Sequence, residues 1–126
     1  MLDKDAIKTE ITRNSIYVDG GIDHIKDDYI EVTLGDTLKV YDAPYLSITN
    51  PTSTREFKMD EDGFILKPNE LYIGRTQEYT KTYGFVPLLA ESEELAAVGM
   101  EIHVTAGFGD NGFEGTWTLE IVCTNP

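Results

Sequence analysis

The sequence predicts a mainly β fold in a single domain spanning residues 1–126. Short apolar stretches alternate with polar residues, Gly, Pro, Asn and Asp punctuate them, and little of the sequence favours helix. The alternation is clearest in Tyr29–Leu34, where Ile30, Val32 and Leu34 share one side. A chain of 126 residues is also close to the usual size of one domain. We therefore expect a barrel or sandwich.

Two segments are predicted to be helical. Leu2–Arg13 contains near its start Asp3, whose carboxylate can cap a helix, and its isoleucines recur at helical spacing. Glu91–Val98 is rich in Glu, Leu and Ala, and Gly99 follows it as a stop signal. Both helices are expected to be short.

Further strands are predicted after Tyr29–Leu34, at Thr37–Tyr41, Phe64–Leu66, Leu71–Thr76, Glu101–Thr105 and Thr116–Val122. Ala43–Asp62 shows no clear period and is expected to be irregular. Gly107–Gly115 contains four glycines in nine residues. Such a stretch predicts a tight excursion with positive φ angles or a close backbone approach.

The charge balance limits the partners. With 23 acidic and 10 basic side chains, the formal net charge is −13. Such a surface repels phosphate backbones, so nucleic-acid polymers and anionic membranes are not expected as partners. A free nucleotide remains compatible, because a local pocket can oppose the overall charge.

The cysteine count and the N-terminus bear on location. Cys123 is the only cysteine, which rules out an intramolecular disulfide and favours a reducing compartment. Met1–Asp5 is charged and no long apolar run occurs, so neither a signal peptide nor a membrane span is predicted. We expect a cytoplasmic protein.

The segment with the clearest chemistry is His103–Glu120. Asp110 lies at the tip of its glycine-rich turn, and Glu120 interrupts an apolar strand. A carboxylate in such a strand is costly unless it faces water or a polar site, and alternation alone could place it on a wet face. We expect His103 to be a satisfied structural histidine, and Trp117 to pack in the core or at a subunit contact.

The same segment, preceded by Leu95–Met100, resembles the dCTP deaminase branch of the dUTPase superfamily. That family has a Gly-Arg-Ser-Ser-Leu-Ala-Arg-Leu-Gly segment, then His, Thr-Ala, and a turn of Asp-Pro-Gly-Phe/Trp-x-Gly type that ends in Leu-Glu. The spacing matches without a gap from Leu95 to Glu120, and weaker similarity extends over most of the chain. The resemblance implies a distorted β-barrel or jelly-roll-like fold, a homotrimer, and active sites between subunits.

The resemblance also implies the site residues. Glu120 stands where the family's glutamate activates water for attack on C4 of cytosine. Thr105 and Ala106 match residues that shape the base pocket, and Asp110 matches an aspartate that orients sugar or water. No metal ligands are implied, because the zinc-binding motifs of other deaminases are absent from the sequence, although magnesium could accompany a bound pyrimidine deoxynucleotide.

One segment departs from the family pattern. Ser92 replaces the first arginine, Glu93 and Glu94 replace the serine pair, and Ala97 replaces the second arginine. Guanidinium groups and hydroxyls are the usual triphosphate ligands, whereas carboxylates repel it. Losing such groups from a catalytic site typically slows turnover by orders of magnitude. Relatives also continue for several strands beyond Leu-Glu, whereas this sequence ends at Pro126, so C-terminal strands are expected to be missing or replaced.

Three hypotheses therefore remain open from the sequence. The first is a diverged deaminase-like protein with weak or lost triphosphate turnover that acts through protein binding or nucleotide sensing. The second is an active deaminase or diphosphatase with an altered pocket, for which Arg75 is a candidate phosphate ligand. The third is a non-catalytic trimer that serves a binding or regulatory role.

Overall fold

The computed structural model describes residues 1–42, 46–50, 52–103 and 107–125. Their elements, in chain order, are α1 (Lys4–Thr12), β1 (Ile16–Val18), a 3₁₀ helix (Gly21–His24), β2 (Thr37–Tyr41), β3 (Thr54–Lys58), β4 (Tyr72–Arg75), β5 (Thr80–Thr82), α2 (Glu93–Ala97), β6 (Met100–Glu101), β7 (Glu114–Gly115) and β8 (Thr118–Cys123). The mainly β prediction is confirmed. None of the helices in these ranges is long and apolar enough to cross a membrane.

The chain divides into two compact units. The first comprises Met1–Leu34, Thr76–Leu89 and Ala106–Trp117, and the second comprises Gly35–Arg75, Ala90–Thr105 and Thr118–Pro126. Each unit has its own antiparallel sheet. The single domain over residues 1–126 stays a prediction.

The first unit opens with α1, close to the predicted Leu2–Arg13. The Asp3 carboxylate accepts a hydrogen bond from Ala6 N at 2.8 Å, which is the expected N-cap. Ile7 is buried, and Asn14 follows the helix with a φ of 62°, a conformation that Asn tolerates and that stops the helix. The sequence signals for this helix are therefore confirmed.

The sheet of the first unit has the strand order β1-β5-β7. Its strands have only two or three residues, too few to show a period, so the sequence did not predict β1, β5 or β7. Side chains reinforce this sheet. Asp19 accepts hydrogen bonds from Tyr17 OH at 2.9 Å and from Tyr79 N at 2.8 Å, and the two tyrosine rings meet edge-on at 6.3 Å.

The second unit is built on a five-stranded sheet of order β3-β2-β4-β8-β6. Tyr72 pairs with Ile121 and Gly74 with Leu119, and β8 alternates strictly between buried and less buried residues. One face of the sheet therefore carries the core, whose members include Leu38, Tyr72, Leu119, Ile121 and Cys123. The predicted strands Thr37–Tyr41, Leu71–Thr76 and Thr116–Val122 are confirmed with shifted ends, as is the helix within Glu91–Val98.

Two predicted strands are wrong, and of the described part of a third, Glu101–Thr105, only Glu101 lies in a strand. Tyr29–Leu34 takes part only in isolated bridges, Ile30 with Ile25 and Leu34 with Thr76, so its alternation does not produce a ladder. Phe64–Leu66 is irregular, and the Phe64 ring instead packs on Phe57 with centroids 4.6 Å apart. Conversely, β3 lies within the stretch expected to be irregular. It is an edge strand with mostly exposed residues, which removes the apolar period that would have predicted it.

Candidate functional site

Glu120 lies in β8, near the middle of the second unit's sheet. It pairs with Ile73 of β4, and its backbone N–H donates to Ile102 O at 2.9 Å. The neighbouring Leu119 and Ile121 are buried, whereas Glu120 is half-buried. Alternation therefore places the Glu120 side chain on the face opposite the apolar core, where a carboxylate can meet water or a ligand.

Two cations share this outer face in the strand register. Lys39 of β2 pairs with Ile73, which in turn pairs with Glu120, and Arg75 of β4 pairs with Thr118. A long side chain can also reach diagonally, to the residue two positions along the neighbouring strand from its direct partner. Arg75 is therefore the arginine diagonal to Glu120, and its exposed side chain is available to an anion on this face.

The predicted base-pocket residues, Thr105 and Ala106, lie outside the described residues. The chain before them is described as far as His103, which follows the β6 strand and is half-buried. A structural role for His103 stays a prediction, as does the role of the Thr-Ala pair.

Asp110 lies in the first unit, in the glycine-rich excursion. Phe113 N donates to Asp110 O at 2.9 Å across a turn in which Gly112 has a φ of 82°. The Asp110 side chain is exposed, while the next side chain, Asn111, accepts a hydrogen bond from Gly84 N at 3.0 Å. The turn chemistry is as predicted, and a shared pocket with Glu120 stays a prediction.

The excursion is held against the rest of the first unit by close packing. A Cβ on Gly109 would lie 2.8 Å from the Trp117 ring and 2.9 Å from Pro87, so only glycine fits there. The Trp117 ring packs on Phe113 with centroids 4.6 Å apart, and its Nε1 donates to Thr80 Oγ1 at 3.1 Å. The glycine-rich loop is therefore held in place by these contacts, and Trp117 packs within the first unit.

The altered family segment forms α2 and the residue before it. Ser92 is the N-cap, and its hydroxyl accepts from Leu95 N at 3.4 Å. Glu93 and Glu94 occupy the first turn and are exposed, and Ala97 is the last helical residue. Acidic residues in the first turn interact favourably with the helix dipole, so these substitutions stabilise the N-terminus of α2.

A polar cluster that the sequence did not single out lies in the first unit. Glu78 is 6% exposed, and its carboxylate accepts hydrogen bonds from Thr33 N and Thr33 Oγ1, both at 2.8 Å. Burial opposes ionisation of Glu78, but the Thr33 hydrogen bonds outweigh it and hold the pKa below its usual value. Thr76, which is 2% exposed, donates to Glu78 O at 3.0 Å. The period-2 spacing of Thr76 and Glu78 was a local signal for that pair, but it does not point to Thr33, 45 residues away from Glu78.

His24 completes this cluster. Its Nδ1 lies 3.0 Å from Glu31 O and 3.8 Å from Glu78 Oε2, so the carbonyl fixes the proton on Nδ1. A Cβ on Gly20 would lie 2.4 Å from the His24 ring, so glycine is required for the ring to fit. A shallow cavity of about 260 Å³ opens between these residues. Because both carboxylate oxygens and the backbone carbonyl of Glu78 accept hydrogen bonds within the first unit, the cluster serves to join the segments of that unit.

Metal ligation finds no support in the described ranges. No group of three or more His, Cys, Asp and Glu side chains there could hold a metal ion. That no zinc is required, and that magnesium could accompany a nucleotide, both stay predictions from the sequence.

Comparison with known proteins identifies the family to which the chain is similar. The sequence profile of the dCTP deaminase-like family matches residues 1–126. A Clostridium acetobutylicum protein named "dCTP deaminase, dUMP-forming" is 44% identical over 102 residues, covering 81% of this chain and 59% of the relative. Relatives of the same name from Leptospira biflexa (45% over 93 residues; 74% of this chain, 53% of theirs) and Cytophaga hutchinsonii (43% over 93; 74% and 54%) are similar.

The chain thus spans between about half and three-fifths of the length of these curated relatives. The resemblance drawn from the Leu95–Glu120 motifs is confirmed, and the antiparallel sheets agree with a dUTPase-type β fold. The chain belongs to the dCTP deaminase-like family, a branch of the dUTPase superfamily.

Proposed function

We propose that this chain handles pyrimidine deoxynucleotides, with weak or lost turnover of the triphosphate. The observation that carries the proposal is the first turn of α2. Where the family pattern has an arginine and two serines, this chain has a serine engaged as an N-cap and two exposed carboxylates. Two unit charges 4 Å apart in water repel by about 1 kcal/mol, and by several times that in a drier site.

Glu120 is the proposed general base. Its half-buried position on the outer face of an otherwise apolar strand supports this role, because a base must reach the attacking water. The relatives' name describes conversion of dCTP to dUMP. That conversion replaces the C4 amino group by an oxygen from one water and releases ammonia, and a second water hydrolyses the phosphate chain to release two phosphate groups as pyrophosphate. Glu120 would accept a proton from the water that attacks C4.

Calorimetric titration with dCTP, dCMP, dUTP and dUMP, with and without magnesium, tests the proposal. We expect the monophosphates to bind at least as tightly as the triphosphates, because the carboxylates of α2 oppose the extra phosphate charge. Ammonia and pyrophosphate release is then measured on the same samples. Tight triphosphate binding with release of both products would contradict lost turnover.

The matched variant restores the family pattern through Ser92→Arg, Glu93→Ser, Glu94→Ser and Ala97→Arg. We expect at least a tenfold gain in triphosphate affinity and no gain for monophosphates, because the variant adds two guanidinium groups and exchanges two carboxylates for hydroxyls. Adding Glu120→Gln to this variant should leave binding intact and lower any regained ammonia release about 100-fold. Unchanged triphosphate affinity would mean that this segment does not face the phosphates.

A second candidate is an active enzyme with a rebuilt pocket. The position of Arg75 diagonal to Glu120 favours it, since an arginine on that face could replace a lost phosphate ligand. Arg75→Gln should then weaken triphosphate binding by about tenfold, whereas Lys39→Gln, a cation two strands from Glu120, should have a smaller effect. Equal effects of the two changes would point to general electrostatics.

We further propose that the chain forms a homotrimer. Val86, Leu88 and Phe108 of the first unit are 60%, 56% and 68% exposed, and Leu88 is bridged to Phe108, so apolar side chains lie side by side on the surface, as at a subunit contact. Light scattering should give about three times the chain mass. A monomeric mass would contradict the proposed trimer. If the titrations show no binding of any nucleotide, the hypothesis of a non-catalytic binding or regulatory protein is the one that remains.

A further inference from the structure

The second unit contains a cavity that the proposed function does not use. It has a volume of about 560 Å³, within the range of small-molecule sites. Val40, Phe57 and Tyr72 line it from the face of the sheet that carries the core. Glu120 lies on the opposite face of that sheet, so the cavity is separate from the proposed catalytic position.

Aromatic rings form one side of this cavity. The Phe64 ring packs on Phe57 with centroids 4.6 Å apart and meets Tyr72 edge-on at 5.8 Å. Phe64 is 45% exposed, although large aromatic side chains gain most when they are covered. The exposed part of the Phe64 ring is therefore a surface on which another flat apolar group can stack.

Cations form the rim. Of the 10 basic residues in a chain of net charge −13, three line this one cavity, against a single acidic residue, Glu70: they are Arg55, Lys58 and Lys67. Arg55 and Lys58 have exposed carboxylate neighbours at 3.7 and 3.4 Å, and such solvated pairs exchange partners at little cost. Lys67 makes no ion pair with any carboxylate in the described ranges.

The turn that carries Lys67 is fixed in place. The Lys67 backbone N–H donates to Tyr72 OH at 2.9 Å, and Tyr72 OH donates to Glu70 Oε2 at 3.3 Å. Asn69, with a φ of 61°, donates from its backbone N–H to Cys123 O at 2.8 Å. A preorganised wall lowers the entropy that a ligand must overcome on binding.

We infer that this cavity binds a small planar apolar molecule that carries one anionic group, such as an aromatic carboxylate. The flat part stacks on Phe64, and the anion meets Lys67 at the rim. Arg55 and Lys58 add to the local positive potential, which selects for an anion although the chain as a whole repels one.

The test uses 2-naphthoate and its uncharged analogue, 2-naphthamide, in amide-resolved NMR titrations of the whole chain. We expect saturable shifts confined to residues 38–42, 54–58 and 64–72, with naphthoate binding about fivefold more tightly than naphthamide. 1-Naphthyl phosphate, in a third titration, shows whether a phosphate is preferred to a carboxylate. Shifts without saturation, shifts centred elsewhere, or equal affinity for the acid and the amide would overturn the inference.

Variants separate the two parts of the site. Lys67→Gln should remove the preference for naphthoate and leave naphthamide binding unchanged, while Phe64→Ala should weaken both ligands by about fivefold. The matched controls are Lys39→Gln, a cation on the outer face of the same sheet, and Tyr83→Ala, an exposed aromatic residue of the first unit. Both controls should bind as the unchanged chain does. If Lys39→Gln lost the preference for naphthoate to the same extent as Lys67→Gln, the preference would come from net charge alone, and the proposed site would be overturned.

Discussion

Strand β8 and helix α2 belong to the same unit and to the same stretch of family motif, yet they differ in what they can tolerate. In β8, Leu119, Ile121 and Cys123 are buried, and the ladder pairs the strand on both sides. In α2, no residue is buried, and the helix has only five residues. A change in β8 therefore disturbs the fold, whereas a change in α2 disturbs mainly what can bind nearby.

This difference explains how family likeness and site chemistry can separate along one chain. The core positions of β8 keep the pattern by which the family is recognised, because cavities in a packed sheet are costly. The exposed positions of α2 and its N-cap can exchange arginine for serine or alanine, and serine for glutamate, while the helix keeps its cap and a favourable first turn. Membership of the family therefore carries less information about α2 than about β8.

The largest expected effect tests the buried side of this comparison. Leu119 is 5% exposed, so Leu119→Ala should lower the free energy of unfolding by about 3 kcal/mol through lost burial and the cavity left behind. Chemical denaturation at one fixed protein concentration measures it. Thr118→Ala, an exposed neighbour in the same strand, is the control and should change stability by no more than about 0.5 kcal/mol. Similar values for the two variants would contradict the assigned faces of β8.

A buried polar group should come next. Glu78→Gln keeps one oxygen but turns an NH₂ group toward a Thr33 donor, so it should cost about 2 kcal/mol at pH 7. Glu94→Gln in α2 is the matched control, because Glu94 is exposed and its change should be close to neutral. Denaturation of both variants and of the unchanged chain gives the comparison.

The effect of Glu78→Gln should depend on pH in one direction. Burial raises the pKa of Glu78, but the Thr33 hydrogen bonds outweigh it, and the folded-state pKa lies below the unfolded value of about 4.3. The ionised carboxylate thus favours the folded state above the unfolded pKa, and this stabilisation is lost as the pH falls through the folded pKa. The gap between the two proteins should narrow below about pH 4. A gap that stays constant or widens toward acid would contradict the ionised, hydrogen-bonded Glu78.

The sequence predicted those elements whose local signals agree with their packing. Helix α1 has both a cap and an apolar spacing, and β8 has a full alternation that burial follows. Tyr29–Leu34 has the alternation but finds only single bridges, since a ladder needs a partner strand that local pattern cannot supply. Strand β3 shows the converse, because its pairing to β2 forms a ladder although its own residues are mostly exposed.

The candidate site was predictable only in part for a similar reason. Glu120 was identified because a carboxylate stands out in an apolar strand, and the strand register then placed Arg75 on its face. The Glu78 cluster was missed because its members, Thr33 and Glu78, are 45 residues apart, and no local pattern joins them. The cavity beside Phe64 was missed because the sequence predicted a strand there, which would have hidden the stacked rings.

The smallest expected effect tests the exposed side of the comparison. Ser92→Ala removes the N-cap of α2, but the hydrogen bond from Leu95 N is long, at 3.4 Å, so we expect a loss of about 0.5 kcal/mol, at the low end for caps. Ser92→Asp keeps an acceptor and should restore the stability of the unchanged chain. Thermal and chemical denaturation of both variants measure the difference. If Ser92→Ala lowered the free energy of unfolding as much as Leu119→Ala, α2 would be as important to the stability of the fold as β8. The departures of α2 from the family pattern would then need a structural explanation in place of a functional one.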